Sequence, residues 1–208
     1  MDREKFEELC ECVGDETIDS WYQKSEPIFQ SQGITSEKDF VKLVAFAYSW
    51  MPTIPEWRCE LNWPECEKAL DKLEGGDDGA LKQVLELVVP SINNSIVGAS
   101  KVLYFAFPQR VPIIDSNVII GWRSLFFPKG IRGKKKNGVL AALPSNFGAY
   151  GSDTEKRSRH IDLYIRYAEN MFAWEKALGD VTVRDIEAKL YLLGKQISDE
   201  VKKANKAV

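Results

Sequence analysis

The sequence predicts an all-α fold. Successive segments carry apolar residues at helical spacing, capping or breaking residues bracket most of them, and no run alternates with period two for long enough to make a convincing strand. Val111 to Ile114 is the only short strand candidate, and prolines flank or interrupt it. No internal repeat is visible.

The elements follow in order. The N-terminal MDREKFEELCECVGDE is acidic and amphipathic, without the basic start and apolar core of a signal peptide. Ser36 with Asp39 forms a capping-box-like start, and Phe40, Leu43, Val44 and Ala47 then mark one face. Pro52 and Pro55 are expected to end that helix. Asn62 and Pro64 open a short helix that Gly75-Gly76 stops. Leu81, Val84, Leu85 and Val88 mark the next, terminated by Pro90. A helix from about Ser95 to Phe107 carries Val102, Phe105 and Ala106, and another begins near Ser116 with Val118, Ile119, Trp122 and Phe126. Residues 128–152 read as a long Gly-, Pro-, Ser- and Asn-rich loop. Two long helices close the chain: roughly Asp153 to Leu178, with Ile161, Ile165, Ala168 and Phe172 inward, and one from Thr182, with Asp185 as its capping partner and Ile186, Leu190, Leu193 and Ile197 on its core face. Eight helices are expected, with the VKKANKAV tail frayed.

Composition bounds the function. The 208 residues suit one domain or one compact two-lobed unit, with a core that needs no disulfide staples. A hydrophobic share of 44% argues against wholesale disorder. With 28 basic and 31 acidic residues the net charge is −3, which excludes a uniformly basic nucleic-acid binder but not a local basic patch. No apolar run is long enough for a membrane span, and the expected address is the cytoplasm. Cys10, Cys12, Cys59 and Cys66 are therefore expected as free thiols. Their C-x-C and C-x6-C spacings are not those of structural zinc, so no metal is expected.

One stretch carries chemistry. Lys101 lies on a helix with apolar neighbours, and Asp115 follows fourteen residues later, after a proline turn and at the mouth of the next helix. Burial disfavours a lysine's charged form, and a neutral amine is a nucleophile towards electrophilic carbons such as C1′ of a deoxyribose. A carboxylate at a helix N-terminus is favoured as its anion, and can stabilise a cationic sugar or take a proton. The ordinary alternatives are a surface lysine on an amphipathic helix and a plain N-cap.

Gly98, Lys101, Pro108, Val111, Pro112, Asp115 and Val118 fit, in order, a hairpin glycine, a lysine, a short helix and a Pro-x-x-Val-Pro-x-x-Asp-x-x-Val turn. The 23 residues from Ile96 to Val118 thereby resemble the helix–hairpin–helix DNA glycosylase superfamily, especially its oxoguanine-glycosylase-like branch and small bacterial members with that fold. The run from Val183 to Lys195 is similar to the closing helix of those small proteins. The resemblance implies a compact two-lobed helical bundle of that type across residues 1–208, Lys101 as Schiff-base nucleophile and Asp115 as catalytic carboxylate. It implies DNA with a modified or damaged base as partner and no cofactor. The chain departs from the family pattern at the hairpin, where Ser91-Ile92-Asn93-Asn94-Ser95-Ile96-Val97-Gly98 replaces Leu-Pro-Gly-Val-Gly, and in a shorter lysine-to-aspartate interval.

Other residues are placed around that pair. Asn93, Asn94, Ser95 and Gly98 are expected at a phosphate, as are Arg132, Lys134, Lys135 and Lys136 of a basic loop that begins near Lys129. Lys156, Arg157, Arg159 and His160 extend that basic excess. Trp50 and Trp122 are expected to line a pocket for a flipped base, with Ser116 and Asn117 at a sugar or base edge. Phe147 and Tyr150 are expected to be exposed, as a wedge or lid. With the resemblance, these features predict a DNA glycosylase, with or without lyase activity, whose base is of damaged host DNA or of modified phage DNA in antiviral defence; the sequence leaves the oligomeric state open, with a monomer favoured. The alternatives are a non-catalytic nucleic-acid-binding protein that retains the fold, and a helical protein–protein adaptor.

Overall fold

A computed structural model describes residues 1–77, 79–128, 140–148 and 150–206. Among these residues there are nine helices and no strand: α1 Arg3–Val13, α2 Ser20–Gln30, α3 Glu37–Tyr48, α4 Trp63–Glu74, α5 Ala80–Ser91, α6 Ile96–Ala106, α7 Ser116–Phe126, α8 Thr154–Leu178 and α9 Val183–Lys206. Val111 to Ile114 is buried but irregular, and an isolated β-bridge pairs Trp57 with Ile92.

Local chemistry explains most boundaries. Asp2 caps α1 through the Lys5 N–H, and Gly14 ends it at φ +63°, a conformation that side chains disfavour. Ser36 and Asp39 bond reciprocally at the start of α3. Thr182 and Asp185 do the same before α9, with the Asp185 N–H on Thr182 Oγ1 and the Thr182 N–H on Asp185 Oδ2. Pro64 sits in the first turn of α4, where no N–H is required. α5 runs one residue past Pro90, because a proline in the last turn breaks little of the hydrogen-bond ladder.

Two expectations are corrected. α2 is an additional helix, with Pro27 inside it and only Ser25 and Phe29 buried. The C-terminal tail is helical to Lys206, supported by good helix formers and by the Asp199–Lys202 pair.

The chain divides into two compact units. One comprises residues 1–18, 114–146 and 166–208, the other 19–113 and 147–165. In the first, α9 packs along α7 and also covers α1. Its core holds Trp122 stacked on Trp174, with ring centroids 4.8 Å apart, and Tyr167 edge-on to Trp122. In the second, α3 and α5 pack on α6, α4 on α5, and α2 on α6. Phe29, Trp50 and Phe105 form its aromatic centre.

Candidate functional site around Lys101

Ile92 to Ser95 joins α5 to α6. Asn93 and Asn94 both take positive φ, 52° and 49°, a region asparagine tolerates better than most residues. Their side chains serve the turn itself. Asn93 accepts from the Glu56 N–H at 2.9 Å and donates to the Ile54 carbonyl at 3.2 Å. Asn94, buried, donates to the Gly151 carbonyl at 2.9 Å and accepts from Arg157 at 3.3 Å. Ser95 caps α6 through the Gly98 N–H.

Of the residues expected at a phosphate, Asn93, Asn94 and Ser95 make internal bonds that hold the turn and the helix start, and the N–H of Gly98 is directed at Ser95 Oγ. Gly98 is itself buried, and a Cβ there would stand 2.3 Å from Tyr48 Oη. The other expected phosphate contacts, Arg132, Lys134, Lys135 and Lys136, lie outside the described residues, as does Lys129.

Lys101 sits mid-way along α6 and is only 8% exposed. From Ile96 to Phe105 every residue but Val97 is buried, so α6 is not amphipathic and Lys101 is not a solvated surface lysine. A lysine is rarely buried to this degree without a partner or a function. One turn further, Tyr104 is buried; its hydroxyl donates to Glu26 of α2 and accepts from Gln30 at 3.2 Å.

Asp115 is half-exposed and caps α7, its Oδ1 accepting from the Val118 N–H at 2.9 Å. Ser116 is exposed, while half-buried Asn117 accepts from Ser198 of α9 at 3.4 Å. Lys101 belongs to the unit formed by residues 19–113 and 147–165, and Asp115 to the other.

The aromatic expectations divide. Trp50 is 7% exposed, donates its indole N–H to Ser25 Oγ at 2.8 Å and packs edge-on to Phe105 of α6. Trp122 is fully buried and donates to the Ala141 carbonyl at 2.9 Å, so it is core rather than pocket wall. Phe147 and Tyr150 are also buried, not exposed as a wedge. The Phe147 carbonyl accepts from the Ile96 N–H at the start of α6, and the Tyr150 hydroxyl meets His160 Nδ1 at 3.2 Å. Burial, then Lys156 and Arg159, hold the His160 imidazole below its ordinary value.

Sequence reasoning missed Tyr48, Glu26 and Gln30; only the glycine three residues before Lys101 hinted that another group approaches α6 there. All four cysteines are free thiols, and burial pushes buried Cys66 up to about 12. Among the described residues no three His, Cys, Asp or Glu side chains converge to hold a metal ion, and no helix is long and apolar enough to cross a membrane.

The fold and these residues define an all-helical protein with a buried lysine behind an asparagine hairpin. No family model, curated protein or solved structure matches the chain.

Proposed function

We propose that the protein is a DNA N-glycosylase acting through Lys101. The carrying observation is the burial of that lysine in α6, one turn after the α5–α6 hairpin and ahead of the Pro-x-x-Val-Pro-x-x-Asp turn. A buried amine serves a nucleophile better than a solubilising charge. In this reading the Lys101 amine attacks C1′ as the N-glycosidic bond breaks and the base departs with a proton. Asp115 carries the proton and balances positive charge on the sugar. Opening of the sugar then gives a Schiff base, from which strand cleavage follows. In the monofunctional form Asp115 activates water and Lys101 positions charge. The substrate is a modified or damaged base in DNA, and the two classes to compare are oxidised host bases and the bulkier bases of modified phage DNA.

Borohydride trapping across a panel of such DNAs, wild type beside Lys101→Gln, tests this. An adduct formed only by wild type is expected. An abasic site without an adduct moves the chemistry to Asp115. Neither product across the panel, with binding unaffected by Lys101→Gln, leaves a nucleic-acid-binding protein. No binding even at low salt, where phosphate contacts are strongest, removes DNA as the partner.

A further inference from the structure

Gly98 and Lys101 stand at i and i+3 on α6, on one face of the helix. A helical side chain covers the turn before its own Cα, so the stem of Lys101 is directed over Val97 and Gly98. Tyr48 of α3 arrives at that same turn. A Cβ at Gly98 would stand 2.3 Å from Tyr48 Oη and 3.1 Å from its Cζ, so only glycine admits the phenol this closely. Tyr48 is 5% exposed, and among the described residues nothing hydrogen-bonds to its hydroxyl. Its oxygen keeps some access to solvent, so the hydroxyl is open to an incoming group rather than sealed in the core. Tyr104, on the far side of Lys101, contrasts with it: Glu26 and Gln30 already occupy its hydroxyl. Tyr48 is a donor in waiting. Burial, with Glu56 adding, pushes its phenol up to about 12, so it keeps its proton at neutral pH.

We propose that Tyr48 is a further catalytic residue of the Lys101 site, its hydroxyl donating to the oxygen that leaves carbon as Lys101 forms a Schiff base. The assignment rests on Lys101 acting as an amine nucleophile, the reading given above. With an aldehyde, the amine adds to the carbonyl carbon, a C–N bond forms and an amine proton passes to oxygen, giving a carbinolamine. The C–O bond then breaks as C=N forms. The oxygen leaves as water with the Tyr48 proton, and the phenolate recovers a proton from solvent. With a deoxyribose the same proton goes to O4′ as the C1′–O4′ bond opens.

Glyoxylate with cyanoborohydride tests this without any DNA: hydride from the reagent reduces the iminium to a stable secondary amine, and peptide mass spectrometry reads each lysine separately. Tyr48→Phe keeps the ring over Gly98 and removes the hydroxyl. Its labelling of Lys101 is expected to slow by roughly a hundredfold, the lower end for a positioned acid, with melting temperature and labelling of exposed Lys68 unchanged. Gly98→Ala, which displaces the phenol, is expected to slow wild type but to add nothing to Tyr48→Phe. Equal Lys101 labelling in wild type and Tyr48→Phe overturns the role of Tyr48 and leaves the lysine chemistry standing. A fall in labelling matched by a fall in melting temperature makes the hydroxyl structural and overturns it too. No labelling of Lys101 in wild type overturns both.

Discussion

Replacing Asp115 by asparagine keeps an oxygen over the Val118 N–H and removes the carboxylate charge. Asparagine caps helices about as well as aspartate, whereas alanine at a cap costs about 1 kcal/mol. Asp115→Asn is therefore expected to melt with wild type, and Asp115→Ala to melt lower. If the carboxylate takes part in base excision, both variants lose roughly 100-fold or more in the single-turnover rate on whichever DNA wild type cleaves. An asparagine variant that excises at the wild-type rate would reduce Asp115 to its cap. The contrast between Tyr48 and Tyr104 belongs to this scale as well. One phenol stands over Gly98, three residues before Lys101, and the other belongs to a residue three positions after it, where its hydroxyl is bonded to a carboxylate and an amide.

Helix α7 meets α9 through one glycine on each. A Cβ on Gly121 would stand 2.1 Å from the Leu190 carbonyl oxygen, and one on Gly194 would stand 1.9 Å from that of Asn117. In both cases the obstacle is backbone, which cannot swing aside as a side chain can. Alanine at either site gains about 1 kcal/mol of helix propensity yet must push two helices apart, an overpacking cost of about 1–3 kcal/mol or more. Gly121→Ala and Gly194→Ala are each expected to lower the unfolding midpoint in denaturant; an unchanged or raised midpoint would show that the crossing is slack. Because Asn117 lies in the first turn of α7, Gly194 also fixes where Asp115 sits within its own unit.

These glycines show what the sequence could and could not reveal. Helices α3, α4, α7 and α9 were legible because caps and apolar spacing agree there. α2 was not: Pro27 interrupts it, Trp21 and Ile28 are exposed, and Ser25 is one of its two buried residues, so no apolar stripe exists to be seen. The left-handed turn at Asn93 and Asn94 was visible only as turn residues. Lys101 and Asp115 stood out through residue type and spacing. Tyr48 did not, because a tyrosine at the end of an amphipathic helix reads as ordinary core, and its meeting with Gly98 is made by tertiary packing alone.

At the scale of the whole molecule, acid stability reports on the chain's single histidine. His160 lies against Phe147 and Tyr150, with burial and the nearby Lys156 and Arg159 opposing its protonation. Its folded value is below the ordinary value of 6.5, so the unfolded chain binds the proton more readily. The stabilisation it gives is complete above that ordinary value and is lost as pH falls through the lower folded one. The melting temperature is expected to drop over that window, and less so in His160→Gln; an identical slope in the variant would mean that other groups account for the loss.

The pairing of α1 with α9 has a consequence for a chain emerging from the ribosome. Lys189 and Gln196 of α9 donate to the Gly14 and Val13 carbonyls, so the end of the first helix is finished by the last. Some 170 residues separate Val13 from Val183. At about 5–20 residues per second, α1 waits roughly ten to thirty seconds for its partner. Its buried face is small, Leu9 and Val13, and six of its eleven residues are charged. A nascent α1 can therefore remain in water until translation delivers the helix that covers it.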